Sequence, residues 1–589
     1  MINTVPPALI FILGAMFIPF LKGKLKKLYL ILIPLVAFID LIYLEQGTSW
    51  VFKFLGYDLI FAEVDRLSLV VGYIFVIIGF LAILYSLHIE EDGQHVAACL
   101  YTGSSLGVVF AGDYFSLFAF WEIMAVASVF LIWYQKDNES LNAGFRYILM
   151  HLFGGCCLLA GIIIYSASKG SILVDRVEPG PFYWFMLIGF GLNAAFIPLH
   201  TWLPDSYPNG TFTGSVFLSV YTTKTAIYVL ARCFPATEFV AYMGGIMAVY
   251  GVVFALMQNN TRKLLSYHIV SQVGYMVAGV GIGTTLGVNG GIAHLFNHIL
   301  YKALLFMTMG SVIYMTGKTK LTELGGLAKL MPITCITCII ASLSISGAPG
   351  FNGFVSKGLI ISSAAEAHKP VLELMLVLAS VGTFLSFVKL CYFCFFTKNE
   401  QIEAKEAPIN MQLAMGLTAF LCIFIGLYPR VLFDLLPYQD IHYHPFTFSH
   451  ITGVIQLFLL AGVVFMLAKA AFSPHNDIVL DFDYFYRMGG RGLSWACNKP
   501  LNNFRSRIQV RISMGIFILV RLCKNPISTL DIFIAHAYQR ATKSLRFRYV
   551  SGYSSSEVYD ESLHKRPIGV GVLVAVILLS VFALVHFIF

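Results

Sequence analysis

Charge is what this sequence has little of. Of its 589 residues only 12% are Asp, Glu, Lys or Arg, while 58% are hydrophobic. Soluble domains carry about a quarter of their residues as charge, because a water-facing surface needs it; this chain cannot cover itself in that way. Its mean hydropathy is +0.78. Strict apolar–polar alternation is also missing. The apolar runs are continuous over roughly 20 residues, enough to cross a ~30 Å hydrocarbon core as helix, and this excludes a transmembrane barrel. No P-loop is present, and no G-x-G-x-x-G opens a soluble helix. The glycines of "AGVGIGTTLG" (Ala278–Gly287) read as close helix packing instead. Energy from a nucleotide or nicotinamide would have to come from elsewhere, and no cofactor is expected. The eleven cysteines lie mostly inside apolar runs, which argues against an extracellular disulfide framework.

What is present is a succession of about sixteen apolar spans, so the expected fold is all-α and polytopic. Their centres fall at about residues 13, 36, 77, 103, 124, 156, 192, 222, 247, 274, 302, 348, 382, 419, 460 and 578. The net charge of +8 reports topology, not nucleic-acid binding. Lys and Arg gather in Lys22–Lys27, Arg262–Lys263, Lys318–Lys329, Lys398–Lys405 and Pro474–Arg566, which alternate spans place on one side. By the positive-inside rule that side is cytoplasmic and the N-terminus lies outside. The expected location is a bacterial inner (plasma) membrane, with the last helix returning outward. The first apolar run, Pro6–Phe20, is followed and not preceded by basic residues, so it does not read as a cleavable signal.

Two spans are interrupted by proline. "NAAFIPLHTWLPDSYPNG" (Asn193–Gly210) lies in the seventh and "SISGAPGFNGFVSKG" (Ser344–Gly358) in the twelfth. Proline removes a donor and clashes with the preceding turn, so both helices should be kinked or broken. The two sit five spans apart, an odd number, which would give two five-helix units of opposite orientation. Broken helices at matching positions of inverted repeats point to a transport path; ordinary proline kinks are the plainer alternative. The expected organisation is three N-terminal helices (1–93), a first five-helix repeat (94–233), a second (234–397), two further helices (398–472), a basic amphipathic segment on the cytoplasmic side (473–566) and a final span (567–589). The basic segment suits either anionic lipid or a docking partner.

Several ionisable residues fall at membrane depth, where each costs ~2.5–3.5 kcal/mol on insertion scales and needs a reason. Glu122 lies in the fifth span, Lys224 in the eighth, and Lys357 after the break in the twelfth. In "HLFNHILYKALLF" (His294–Phe306), His294, His298 and Lys302 follow at intervals of four, which puts them on one helix face. His151, His268 and Lys389 lie nearer span ends. A chain of such groups with water between them can pass protons. Plainer readings exist for each: a static Glu122–Lys224 ion pair, Lys302 or Lys389 reaching an interface, His151 as a hydrogen-bonded core residue, His268 packed at an interface. The His294-x3-His298 spacing also fits two metal ligands, but no third ligand shares that span and no metal is expected. "CITC" (Cys335–Cys338) and "CYFC" (Cys391–Cys394) are embedded in apolar helix without Gly or Pro, and read as packing.

Six motifs together carry a resemblance: "FAFWEI", "IPLHTWLPDSYP", "SYHIVSQVGYM", "HLFNHILYKALLF", "LMPIT" and "SISGAPGFNGFVSKG". In this order, over roughly Phe61–Phe396, the chain resembles the antiporter-like subunits of respiratory complex I, membrane-bound hydrogenases and Mrp-type cation/proton antiporters, and the D-type Mrp group most of all. The resemblance implies a fourteen-helix core with two inverted repeats, each holding a half-channel, joined by a central axis of Glu, Lys and His. It assigns Glu122, Lys224, His294, His298, Lys302 and Lys357 to that axis; Asn193, His268 and Lys389 are expected as accessory positions beside it. Its partners would be other membrane subunits, lipid, protons and, as an option, Na+. One departure stands out. The family usually has lysine five residues before the proline of the seventh span, where this chain has Asn193. Lys224 is then expected to serve as partner of Glu122, unless the first half-channel is inactive. The expected function is proton translocation, with Na+/H+ antiport as an extension. The alternatives are a membrane subunit of a bicarbonate-uptake complex and a non-conducting scaffold. No catalytic or redox site is expected in this chain.

Overall fold

In the computed structural model, which describes residues 5–399, 402–439, 443–475, 479–541 and 568–588, each expected span centre falls on a helix or in the interruption of one. The helices are numbered here by those spans. The first three are Pro7–Phe17, Gly23–Tyr43 and Arg66–Ser86; the fourth to sixth are Asp92–Phe110, Tyr114–Trp133 and Asn138–Lys169. The ninth to eleventh are Glu238–Leu256, Thr261–Ile282 and Thr285–Thr316. The thirteenth to sixteenth are Pro370–Cys391, Ile409–Leu427, Phe448–Leu467 and Ile568–Ile588. Side-chain caps mark many starts: Asp65, Asp113, Asp137, Asn260 and Thr284 each accept a first-turn backbone N–H, satisfying donors that no helical carbonyl can reach. Eight described helices are long and apolar enough to cross a membrane.

The interrupted helices come in pieces, each shorter than a bilayer. The seventh runs Tyr183–Asn193, loses its helical ladder around Pro198 and resumes at Trp202–Ser206. The twelfth runs Pro332–Ser346 and Asn352–Glu366. Between its halves Gly347 (φ 84°) and Gly350 (φ 89°) adopt left-handed backbone, which any side chain would disfavour. A third interruption carries no such signal. The eighth helix is split into Gly214–Leu218 and Thr222–Cys233 with neither proline nor glycine at the break. The helical expectation also misses a hairpin, Gly47–Phe54 paired antiparallel with Tyr57–Val64. Leu55 (φ 49°) and Gly56 (φ 84°) turn it, the two positive φ values of a type I′ turn. Asp113 ties the hairpin down, accepting from Ile60 N–H at 2.7 Å while capping the fifth helix.

Burial is concentrated at the centre. Every residue from Leu286 to Val312 of the eleventh helix is buried, so its polar side chains face protein and not lipid. The ninth and tenth helices approach through small residues: a Cβ placed on Gly244 would stand 2.3 Å from Ala278 N, and one on Gly281 2.2 Å from Ala241 N. Residues 487–589 form a second unit. It holds the helix Asn502–Lys524, none of whose residues is buried, then Pro526–Ala541 and the sixteenth helix. The polar linker "SGYSSSEVYDES" lies outside the described residues.

Candidate functional site

The eleventh helix carries its row of bases through the interior. His294 is held on both sides, Nδ1 at 2.9 Å from Ser356 Oγ and Nε2 at 3.2 Å from Gln272 Oε1. Tyr301 OH lies 3.2 Å from the same Nε2. One turn on, His298 packs against Tyr301 with ring centroids 5.3 Å apart, and neither ring nitrogen has a hydrogen-bond partner. Another turn on, Lys302 is fully buried. Its ammonium has no hydrogen-bond partner and lies 5.8 Å from the centroid of Phe387. Phe387 also packs on His268, centroids 4.7 Å apart, and both nitrogens of His268 are unpartnered.

Two interrupted helices add a lysine each. Lys357 follows the twelfth-helix break, its unpartnered Nζ 5.1 Å from the ring of Tyr275. Lys224 lies just past the eighth-helix break and donates from Nζ to Ser219 O at 2.5 Å. That carbonyl is freed by the interruption, which explains how a break forms there without proline: the ammonium satisfies what the helix would have satisfied. Lys224 is within electrostatic reach of His294, His298 and Lys302. Among the described residues no carboxylate pairs with any of these six bases. A base cluster without counter-charge can hold few protons at once, because each repels the next in a poorly screened interior. It is suited to handing one proton along, through water where side chains do not touch.

Three expected site residues lie apart from this row. Lys389 donates to Leu256 O at 2.6 Å and Gln258 O at 3.2 Å, capping the C-terminal end of the ninth helix. The expected Glu122–Lys224 ion pair is not formed. Lys224 points to the centre, whereas half-buried Glu122 turns to the sixth helix, where Gly155 leaves room for Oε1; a Cβ on Gly155 would stand 2.1 Å from it. Asn193 instead engages the sixth helix, its Oδ1 2.9 Å from His151 Nδ1. Among the described residues no group of three His, Cys, Asp or Glu side chains is placed to hold a metal.

A further ionisable cluster was invisible in the sequence. His200, on the unwound stretch of the seventh helix, places Nε2 3.3 Å from Asp481 Oδ2. Tyr250 of the ninth helix donates to Asp481 Oδ1 at 2.5 Å, and Tyr267 of the tenth donates to Oδ2. Asp481 lies near the start of the basic segment that follows the fifteenth helix, and only its contacts reveal it. Burial by itself would raise its pKa; His200 and then the two tyrosine hydroxyls outweigh burial and hold the carboxyl at about 2, below its ordinary value of 3.8. The folded pKa is depressed, so the stabilisation is present above pH 3.8 and is lost as pH falls towards 2. Asp481→Asn is therefore expected to lower the melting temperature at pH 7, with the gap to wild type closing over that acid range.

Comparisons with known proteins bear on the family and the fold. Residues 111–386 match the family model described as NADH:quinone oxidoreductase/Mrp antiporter, transmembrane. An uncharacterised protein of Methanocaldococcus jannaschii is 31% identical over 357 residues, covering 56% of this chain and 74% of its own length. Na(+)/H(+) antiporter subunit A1 of Staphylococcus aureus is 27% identical, covering 86% of this chain and 73% of its own. Among solved structures, a chain of an archaeal membrane-bound sulfane sulfur reductase superposes with a TM-score of 0.68 at 24% identity, over 92% of this chain and 100% of that one. A chain of respiratory complex I from Thermus thermophilus gives 0.64 at 20% identity, over 73% and 99%. A chain of the Mrp complex of a Dietzia species gives 0.62 at 18%, over 77% and 93%. At those identities the superpositions establish the fold: a mostly helical, multi-pass membrane architecture. With the family match lying over both broken helices and the central row, this chain belongs to the NADH:quinone oxidoreductase/Mrp antiporter transmembrane family.

Proposed function

We propose that this chain is a proton-translocating subunit of a multi-subunit membrane assembly of the antiporter or respiratory type. The observation that carries the reading is the buried row His294–His298–Lys302, reaching Lys224 and Lys357 beside two helix interruptions with no counter-charge among the described residues. Static structure gains nothing from such a row, since each base costs free energy to bury. Protons are favoured over Na+ as the moving ion, because Na+ prefers clustered oxygen ligands and no carboxylate among the described residues joins this row. The two five-helix segments 94–233 and 234–397 act as the halves of the path, and Glu122 enters the first of them from the fifth helix, its Oε1 at the notch of Gly155. We place the N-terminus outside a plasma membrane and the basic loops in the cytoplasm.

The test is purification of the assembly with identification of its subunits, followed by reconstitution into vesicles carrying a pH-sensitive dye. Potential-driven proton movement is expected in wild type, with losses of about 100-fold in both Lys357→Ala and Glu122→Gln, the lower end of the range for positioned proton-transfer groups. Undiminished movement in both variants would leave a scaffold role. A large soluble zinc protein among the co-purified subunits would favour bicarbonate uptake.

A further inference from the structure

His151 sits on the sixth helix, outside the central row, and is 2% exposed. Asn193 Oδ1 lies 2.9 Å from Nδ1, so the amide, which cannot titrate, orients the ring and leaves Nε2 as the basic nitrogen. That Nε2 is buried without a hydrogen-bond partner, as is Asn193 Nδ2. The imidazole is clamped by Tyr147, centroids 4.1 Å apart, and by Trp202 at 4.7 Å. Asn193 and Trp202 lie on opposite sides of the seventh-helix interruption, and Trp202 Nε1 donates back across it to Leu192 O at 3.0 Å. The broken helix thus holds this one histidine from both halves.

The ring also lies between two charged groups that fail to meet each other. Tyr147, His151 and Gly155 are spaced by four residues and share one face of the sixth helix. Gly155 is where Glu122 inserts its carboxylate. At the other end Tyr147 OH bonds Ser128 Oγ at 2.8 Å, with the Thr222 hydroxyl nearby. Thr222 Oγ1 is 2.6 Å from Tyr101 OH. It opens the second half of the eighth helix, two residues before Lys224. Hydroxyls that both donate and accept therefore lie between the histidine and the break that holds Lys224, and water would have to join them to His151 Nε2 and to Lys224.

We propose that His151, oriented by Asn193, is a proton-carrying station joining Glu122 to Lys224 through the Tyr147–Thr222–Tyr101 hydroxyls. This rests on the proton-transport reading above. In balance, a proton leaves the Glu122 carboxyl, adds to Nε2 through water, and leaves Nδ1 or Nε2 for the hydroxyl chain towards Lys224; no electrons move.

The experiment uses the full assembly in dye-loaded vesicles. His151→Gln is expected to slow proton movement tenfold or more at unchanged melting temperature, and Asn193→Leu, which frees the ring, to slow it several-fold. In the double variant His151→Gln/Asn193→Lys, an amine stands beside the vacated position, and at least half the wild-type rate should return. Rescue by a titratable group at the neighbouring residue is not a result that a packing role produces. Wild-type rates in both single variants, or a loss in His151→Gln that the added lysine does not restore, would overturn the proposal. Lys357→Ala, measured alongside, separates the two readings: if it abolishes transport while His151→Gln does not, only the role of His151 falls. If wild type itself moves no protons, both fall.

Discussion

Replacing Lys302 by methionine is expected to reduce proton movement by about 100-fold or more, as for loss of a positioned proton-transfer group, while raising the melting temperature of the assembly. The two effects have one cause. Lys302 is fully buried, its Nζ finds no hydrogen-bond partner, and the charged group that acts on it is another base, Lys224. Such an amine destabilises the fold by up to ~3 kcal/mol when charged, and methionine fills nearly the same volume without that cost. Lys302→Arg makes the comparison sharper. A guanidinium keeps the charge and does not release its proton, so the arginine variant should also lose transport while becoming less stable than wild type. A cation needed only for its charge would differ at arginine, which would then support transport while methionine still failed. Transport in vesicles and unfolding in detergent, measured on all three proteins, decide between these. Normal transport in Lys302→Met, or a melting temperature lowered by it, would overturn the assignment.

The row on the eleventh helix is legible in the sequence because helical periodicity alone aligns His294, His298 and Lys302, and because nothing apolar excuses a base at that depth. The seventh and twelfth interruptions are legible for a local reason too: Pro198 and Pro349 announce them in their own segments. What stays hidden is set by tertiary contact. The eighth-helix break has no sequence punctuation, since its cause is an ammonium, Lys224, placed on the Ser219 carbonyl. Asp481 looks like one acid in a polar connection, yet it meets His200, Tyr250 and Tyr267 from far along the chain. Charge complementarity suggests a Glu122–Lys224 pairing. It fails because the fifth helix turns Glu122 into the notch at Gly155 while the eighth aims Lys224 at the centre. His151 is easily passed over for the opposite reason: a hydrogen-bonded core histidine is the common case, and only Asn193, Glu122 and the hydroxyls around it distinguish this one.

Gly244→Val is expected to prevent the assembly from folding, or to leave a small residual fraction. The ninth and tenth helices meet with backbone against backbone along Gly244, Ala248 and Gly251 on one side and Ser271, Gly274 and Ala278 on the other. A Cβ at 244 would lie 2.3 Å from Ala278 N and 2.5 Å from Gly274 O; one at 251 would lie 2.5 Å from Ser271 N; one at 274, 2.5 Å from Ala248 N. These neighbours are main chain and cannot swing aside, so the helices must separate. Overpacking commonly costs ~1–3 kcal/mol where side chains can adjust, and about 3 kcal/mol or more is expected where they cannot. The consequence reaches the path itself. The tenth helix carries His268 and Gln272, the latter 3.2 Å from His294, and Tyr275 beneath Lys357. Displacing it would disorder the row before it unfolded the chain. Gly462→Ala on the fifteenth helix is the matched control, because a Cβ there meets nothing within 4 Å and alanine is the better helix former. Size-exclusion recovery and melting temperature should fall sharply for Gly244→Val and hold or rise for Gly462→Ala. Equal recovery of the two proteins would show that the ninth and tenth helices do not pack backbone against backbone.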